Sequence, residues 1–273
     1  MHIGSLELDG RCRVMGVLNV TPDSFYDGGR YDTTVAAIER GREMVKDGAE
    51  IIDVGGESTR PGAPPIPEAE ERERVVPVIA ALAAELEIPI SIDSRKPAIA
   101  CDAVEAGAML INDVGGLRDP EMVAAVAKLG VPVVVMHMQG TPETMQRNPD
   151  YNEIVADVKL WLAKRVAVAE EAGIMRDQLI IDPGIGFGKT LEHNLALMAR
   201  LDEFKDIAGG MLLGASRKSW LEMLVGAGPE QRLPGSLAAA VTAALAGADI
   251  VRVHDVAATR QAIDVINALR KFK

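Results

Sequence analysis

The sequence predicts an α/β fold, a (β/α)8 TIM barrel with a short N-terminal extension, and three observations predict it. Eight short apolar runs recur at fairly even intervals along the 273 residues. Helical patterns lie between them, with no linker or compositional break, so 1–273 reads as one domain. Most runs are continuous rather than alternating, as in parallel strands covered on both faces. Strand and helix in steady succession close into a barrel at this length. An open doubly wound sheet is the structural alternative, and it would gather its site at one switch point.

A short polar start, Ser5-Leu-Glu-Leu-Asp9, reads as an N-terminal strand. The first four runs are Val14-Met-Gly-Val-Leu18, Ile51-Ile-Asp-Val54, Pro89-Ile-Ser-Ile92 and Met109-Leu-Ile111. The next four are Val133-Val-Val-Met136, Leu179-Ile-Ile181, Met211-Leu-Leu213 and Ile250-Val-Arg-Val253. Between them, Val35, Ile38, Val45 and Ala49 are spaced by 3, 7 and 4, and Val155, Val158, Leu162, Val166 and Ala169 by 3, 4, 4 and 3. Val256, Ile263, Ile266 and Leu269 close the chain in the same way.

Composition narrows the function classes. An apolar content of 48% is ample for a core. A formal charge of −11 opposes electrostatic binding of nucleic acid or an anionic membrane, while leaving room for a local basic pocket. Cys12 and Cys101 fit no metal or redox spacing, which suits a reducing cytoplasm. The start shows no basic-then-apolar segment, and no apolar run reaches ~18 residues. The scattered His2, His137, His193 and His254 make no zinc site.

Chemistry-capable residues follow every strand: Asn19, Gly55-Gly-Glu-Ser-Thr-Arg-Pro61, Asp93, Asn112-Asp113, His137, Asp182, Ser216-Arg-Lys218, and Arg252 with His254. A barrel brings such strand ends into one ring. Ordinary loop polarity explains one or two of these well and all eight poorly. Asp182-Pro-Gly-Ile-Gly-Phe-Gly-Lys-Thr190 sits between a strand and a helical pattern. It is neither a P-loop, since Pro183 stands where the first glycine belongs, nor a dinucleotide fingerprint, since Lys189 takes the third glycine's place. Arg252 and His254, two apart in a strand, point to the same side. An arginine in a covered strand needs an anionic partner, either a ligand or an ion pair within the barrel. The first connection, with Asn19-Val-Thr-Pro-Asp-Ser-Phe25 and Asp27-Gly-Gly29, is long enough to be a lid. In the second, Pro64 to Pro67 reads as a stiff connector.

These motifs, in this order from about Val14 to Val256, resemble the dihydropteroate synthase family. They are Asn19–Gly29, Gly55–Gly62, Ser91-Ile-Asp-Ser94, Asn112-Asp-Val-Gly-Gly116, His137-Met-Gln-Gly140, Asp182–Thr190, Ser216-Arg-Lys-Ser219 and Arg252-Val-His254. The resemblance implies a (β/α)8 barrel that joins dihydropterin-methyl diphosphate to 4-aminobenzoate, releasing pyrophosphate. It gives Asp182 the paired N–H donors of the pterin, a geometry that suits a carboxylate. Asp93, Asn112 and Lys218 take other polar atoms of the ring, and Met136 and Phe187 pack beside it. Asp93, Asp182, Lys218 and Arg252 are the catalytic candidates. Arg252, His254 and Asn19 would hold the diphosphate, with Mg2+ on the Asn19 amide oxygen. Thr59, Arg60, Pro61, Phe187 and Ser219 would hold the aminobenzoate, Ser219 at a helix start.

The resemblance further implies a homodimer, for which Leu237 to Leu245 reads as a surface or equally as an ordinary barrel-facing helix, and inhibition by sulfonamides, because the loop around Thr59 matches the ordinary family form. Tyr26 departs from the more frequent serine; Cys12 and Arg13 carry no assignable meaning. The rival readings are a pterin-binding methyltransferase barrel, which has no use for the Thr59 loop or the Arg252–His254 pair, and a pterin binder without turnover.

Overall fold

Eight parallel strands close on themselves in the computed structural model, which describes residues 1–21, 30–270 and 272. The remainder of the first loop, residues 22–29 with Tyr26, lies outside the described residues. The chain starts with β1 (His2–Ile3) and β2 (Leu6–Glu7), then runs β3 (Arg13–Asn19), α1 (Arg30–Lys46), β4 (Ile51–Gly55), α2 (Glu68–Glu85), β5 (Ile90–Asp93) and α3 (Pro97–Glu105). It continues as β6 (Leu110–Asp113), α4 (Pro120–Leu129), β7 (Val133–Met136), α5 (Ile154–Glu171), β8 (Leu179–Asp182) and α6 (Leu191–Ala199). The last elements are β9 (Gly210–Leu213), α7 (Trp220–Val225), α8 (Leu233–Ala246), β10 (Ile250–Val253) and α9 (Val256–Arg270). Around the barrel the order is β10-β3-β4-β5-β6-β7-β8-β9. The eight apolar runs are the eight barrel strands. Several ladders run a residue or two further than those runs, taking in Asn19, Gly55, Asp93, Asn112 and Asp182. Backbone pairing is indifferent to side-chain polarity until the chain turns.

The two-residue period of a strand gives the barrel interior two different ends. Ile51, Leu110, Val134, Ile180, Leu212, Ile250 and Met15 form one apolar cluster at the N-terminal end. Two residues further along, the same inward faces carry Asp53, Asn112, Met136, Asp182, Gly214 and Arg252. The opposite faces, with Val14, Ile52, Val54, Ile92, Ile111, Val135, Ile181 and Val253, merge with the helices into the large outer core.

The N-terminal extension closes the apolar end. The β1–β2 pair sets Ile3 opposite Leu6 and places Ile3, fully buried, in the interior cluster, with Met1, Leu6 and Leu8 against it. Only Leu6–Glu7 of the expected first strand pairs, because the turn at Gly4 folds the segment back as a hairpin. Arg13, which had no reading in the sequence, fastens this plug. Its guanidinium donates to Glu50 at 2.7 Å, to the Glu7 carbonyl at 2.7 Å and to Asp9 at 3.0 Å.

The helical spacing holds on α5, where Val155, Val158, Leu162, Val166 and Ala169 are all buried. On α1 the buried stripe is Ala37, Gly41 and Met44, and Val35 is 49% exposed. The stripe is set by α2, whose Leu82 comes close enough that a Cβ on Gly41 would lie 2.8 Å from it. Leu269 on α9 is exposed too. No helix among the described residues is long and apolar enough to cross a membrane.

Replacing Ile3 by Ala should lower the unfolding free energy by about 2–5 kcal/mol, the cost of lost burial plus a cavity. Denaturant unfolding measures it. An unchanged midpoint would mean that the hairpin unfolds independently of the barrel.

Candidate active site

The residues that end the strands collect at the C-terminal mouth. Asn19, Gly55 and Asp93 lie in one register row across β3, β4 and β5, and Met136 pairs with Asp182 across β7 and β8. Two bare glycines leave room between the polar groups. A Cβ on Gly55 would stand 3.7 Å from Asn19 Oδ1 and 3.7 Å from Asp93 Oδ2. One on Gly214, just past β9, would stand 3.8 Å from both Asp182 Oδ2 and Lys218 Nζ.

Beneath the mouth lies a buried charge group. Asp53, on the inward face of β4 and wholly buried, accepts from Arg252 Nε at 2.5 Å and from Asn112 Nδ2 at 2.9 Å. Arg252 Nη2 donates to Asp93 Oδ2 at 2.6 Å. The ion pairing within the barrel that the sequence left open for Arg252 is therefore present. Among the described residues, Asp53 Oδ1, Asp93 Oδ1 and Ser91 Oγ are buried without a hydrogen-bond partner. Burial pushes Asp93 up to about 7; Arg252 pulls the other way, and Asp53 adds to the rise. Arg252 is held protonated by Asp53 and Asp93 although burial opposes its charge.

Asp182 is held from its own turn. Its Oδ1 accepts the Gly184 N–H at 2.7 Å, and burial raises its pKa against the opposing charge of Lys218. Gly184 has φ 72°, and a Cβ there would fall 1.9 Å from the His137 carbonyl oxygen, so glycine alone fits. Under the turn, buried Lys189 donates to the Phe187 carbonyl at 2.9 Å and meets His137 Nδ1 at 3.0 Å. Burial brings Lys189 down to about 7, Asp182 opposing the fall and Lys218 adding to it. Burial, with Lys189 adding, keeps His137 neutral, its ring edge-on to Trp161 with centroids 5.0 Å apart. Phe187 packs on a small cluster of Val114, Met136, Met138 and Met145. Lys218 Nζ stands 4.3 Å from the Phe187 ring centroid and donates to the Ile185 carbonyl at 2.5 Å. Burial lowers Lys218 to about 8, with Asp182 opposing.

The segment carrying Lys218 and Ser219 is braced from α8 and from the residue that precedes α9. Arg217, in the left-handed region at φ 54°, pairs with Asp255 at 2.7 and 2.6 Å, and its N–H donates to Ser236 Oγ at 2.9 Å. Ser219 is exposed at the start of α7, as expected, and its hydroxyl makes no capping bond. His254 meets Ser216 Oγ through Nδ1 at 3.1 Å, and burial, then Arg252 and Arg217, push it down to about 4. At neutral pH it offers a hydrogen bond, and positive charge comes from Arg252 and Lys218.

Asp113 is a structural residue, its carboxylate accepting the Gly115 and Leu117 N–H groups at 2.7 Å each. Thr59, Arg60 and Pro61 lie in the loop after β4, where Gly62 donates to the Pro142 carbonyl at 3.1 Å. None of the described hydrogen bonds joins these three, or Ser219, to the Asp182–Lys218 group.

Sequence reasoning missed Asp53 and Lys189. The signal for Asp53 was there: an acid inside an otherwise apolar run invites the same question asked of Arg252. Acceptors at Asp182 and Asp93, a donor at Lys218, an apolar wall of Met136 and Phe187 and a cation at Arg252 suit a flat, polar-edged ring that carries an anion. Among the described residues no group of three or more His, Cys, Asp or Glu could hold a metal. Among the described residues the Asn19 amide oxygen, over Gly55, is a hard ligand that fits a magnesium ion bound largely through other oxygens and water.

Asp53→Ala should cost about 3–5 kcal/mol of stability by leaving Arg252 short of a counter-charge and Asn112 without an acceptor. Asp53→Asn, which keeps an oxygen for Asn112, should cost less. Equal unfolding free energies for wild type and Asp53→Ala would show that Asp93 alone satisfies the guanidinium.

A family model for pterin binding enzymes matches residues 15–254, from within β3 to just past β10. The dihydropteroate synthase of Escherichia coli (strain K12) is 48% identical over 260 residues, 95% of this chain and 92% of the relative. A Yersinia pestis dihydropteroate synthase, solved as a sulfonamide drug complex, superposes with a TM-score of 0.93 at 44% identity, covering 99% of each chain. The Xanthomonas albilineans dihydropteroate synthase in complex with 7,8-dihydropteroate gives 0.88 at 45% identity, over 97% of this chain and 95% of that one. A match of this extent takes in the whole barrel and its mouth, and the chain belongs to the dihydropteroate synthases of the pterin-binding enzyme family.

Proposed function

We propose that the chain condenses (7,8-dihydropterin-6-yl)methyl diphosphate with 4-aminobenzoate, giving 7,8-dihydropteroate and pyrophosphate for folate synthesis. The observation that carries the reading is the convergence of Asp182 Oδ2 and Lys218 Nζ over bare Gly214, beside Phe187. Asp182 accepts the paired N–H donors of the pterin edge, and Lys218 donates to acceptors on the other side. Met136 and Phe187 pack on the ring. Asn112 commits its Nδ2 to Asp53, since a carboxylate only accepts, and so turns its Oδ1 toward a ligand donor. Asp93 takes a further polar atom of the ring.

Arg252, His254 and Asn19 receive the diphosphate, where negative charge grows as the bond breaks. The C–O bond breaks first: its electron pair leaves with pyrophosphate, and the pterin ring stabilises the methylene cation. The neutral amine of 4-aminobenzoate then forms the C–N bond with its lone pair and releases a proton to solvent. Thr59, Arg60 and Pro61 order over the aminobenzoate, Phe187 forms a wall, and the Ser219 hydroxyl receives its carboxylate. Excluding water protects the cation from capture. Asn19 would hold Mg2+, whose contribution when bound is to neutralise charge on the departing diphosphate.

The same reading makes 1–273 one domain in the cytoplasm, in keeping with two free cysteines, and a homodimer. Exposed Met223, Leu224 and Val225 on α7 and Leu245 on α8 supply apolar surface for a second copy, and sulfonamides occupy the aminobenzoate position.

Pyrophosphate release from the pterin diphosphate with Mg2+ tests the proposal. Dihydropteroate should form only with 4-aminobenzoate present, and sulfonamide should inhibit competitively against it. Pterin binding without release in either condition would sink the synthase reading. The pH dependence of pterin affinity has a definite sign. Ionised Asp93 is the acceptor, so affinity should rise as pH passes about 7; charged Lys218 is the donor, so it should fall above about 8. Titration calorimetry across neutral pH checks this, and Asp93→Asn should remove the rising limb. A flat profile would overturn it.

A further inference from the structure

We propose that Glu57 is a positioning residue for the second substrate, acting through the loop that carries Thr59, Arg60 and Pro61; this rests on the reading that the loop covers the aminobenzoate. The loop leaves the barrel after Glu57 and returns at Ile66, and one buried ionic knot ties those two feet together. Glu57 Oε2 accepts the Ile66 N–H at 3.0 Å and Lys96 Nζ at 2.8 Å. The same Nζ donates to the Ile66 carbonyl at 2.7 Å and to Glu71 at 2.6 Å. Glu57 Oε1 is taken by Arg95, with Nε at 3.0 Å and Nη2 at 2.9 Å. Arg74 secures the preceding residue, donating to the Gly56 carbonyl at 2.8 Å.

Both oxygens of Glu57 are committed to protein groups, and its side chain is only 6% exposed, so it does not itself reach a ligand. Burial opposes the charges of Glu57 and Lys96, yet each holds the other ionised, with Glu71 supporting the lysine and Ile66 and Arg95 the acid. The knot fixes both ends of a short arch stiffened by Pro61, Pro64 and Pro65. An arch with fixed feet loses less freedom when it orders over a ligand, and that saving appears as affinity for the covered substrate. The pterin side has its own scaffold of Asp182, Gly184 and Lys189, which shares no described bond with the knot.

The experiment compares Glu57→Ala, Glu57→Gln and Arg60→Ala in steady-state kinetics, with hydrogen exchange of the 58–66 amides in the unliganded protein. Glu57→Ala should raise KM for 4-aminobenzoate about tenfold, leave KM for the pterin diphosphate about unchanged, and speed exchange across the arch. Glu57→Gln keeps an acceptor for the Ile66 N–H and should fall between it and wild type; should the alanine variant fail to fold, the glutamine variant tests the same split between the two KM values. If Arg60→Ala raises the aminobenzoate KM and the Glu57 variants do not, the positioning role is wrong while the reading of the loop stands. If none of them raises it, that reading fails and takes the proposal with it. Both KM values rising together with a lowered melting temperature would make Glu57 a residue of general stability and overturn the proposal.

Discussion

The acids of β4 and β5 and the amide of β6 depend on one guanidinium shared between two buried carboxylates. A barrel interior has no water to spare for charge, and an unpaired carboxylate there is driven to neutralise. Arg252 meets Asp53 and Asp93 at once, which leaves one net negative charge to be spread over the group. One oxygen each of Asp53 and Asp93, without a partner among the described residues, records that excess. Burial, with Asp53 adding and Arg252 opposing, leaves Asp93 near the middle of the pH range, and Asp53, through Asn112, sets which way an amide faces. Charge and orientation on this side of the pocket thus trace to a single triad.

The same strands serve two purposes, because polarity changes along them. At the N-terminal end, apolar side chains fill the interior and the hairpin seals it, so closed packing carries the stability. At the C-terminal end, glycine replaces side chains at positions 55 and 214, and ionic groups replace aliphatic ones. Burial that costs at the mouth is offset by burial that stabilises at the plug.

How much of this was legible follows from where partners sit in the sequence. The barrel could be read, since eight short apolar runs, most of them continuous and separated by helical spacing, admit few other folds. Asp182, Lys218, Met136 and Phe187 could be placed at one mouth, because each ends a strand or follows one closely. Asp53 could not be paired by inspection: its partner Arg252 lies 199 positions away, and only closure brings the two strands within reach. Glu57 stood inside the Gly55–Gly62 motif, but Lys96 and Glu71, which give it meaning, belong to the entry of α3 and to the inner face of α2. The plug role of Arg13 was hidden likewise, since nothing in the sequence says that a hairpin lies under the barrel.

The order of the triad along the chain has a consequence for biosynthesis. Asp53 and Asp93 leave the ribosome early, whereas Arg252 is in the last strand, 199 and 159 residues later. Until β10 is made, the growing chain lacks both the strand that joins β9 to β3 and the counter-charge for the two acids. A nascent sheet therefore has to keep those carboxylates hydrated or protonated, and a premature collapse of the unfinished barrel would bury them unpaired. The final strand supplies ladder and cation together, which ties charge neutralisation to completion of synthesis.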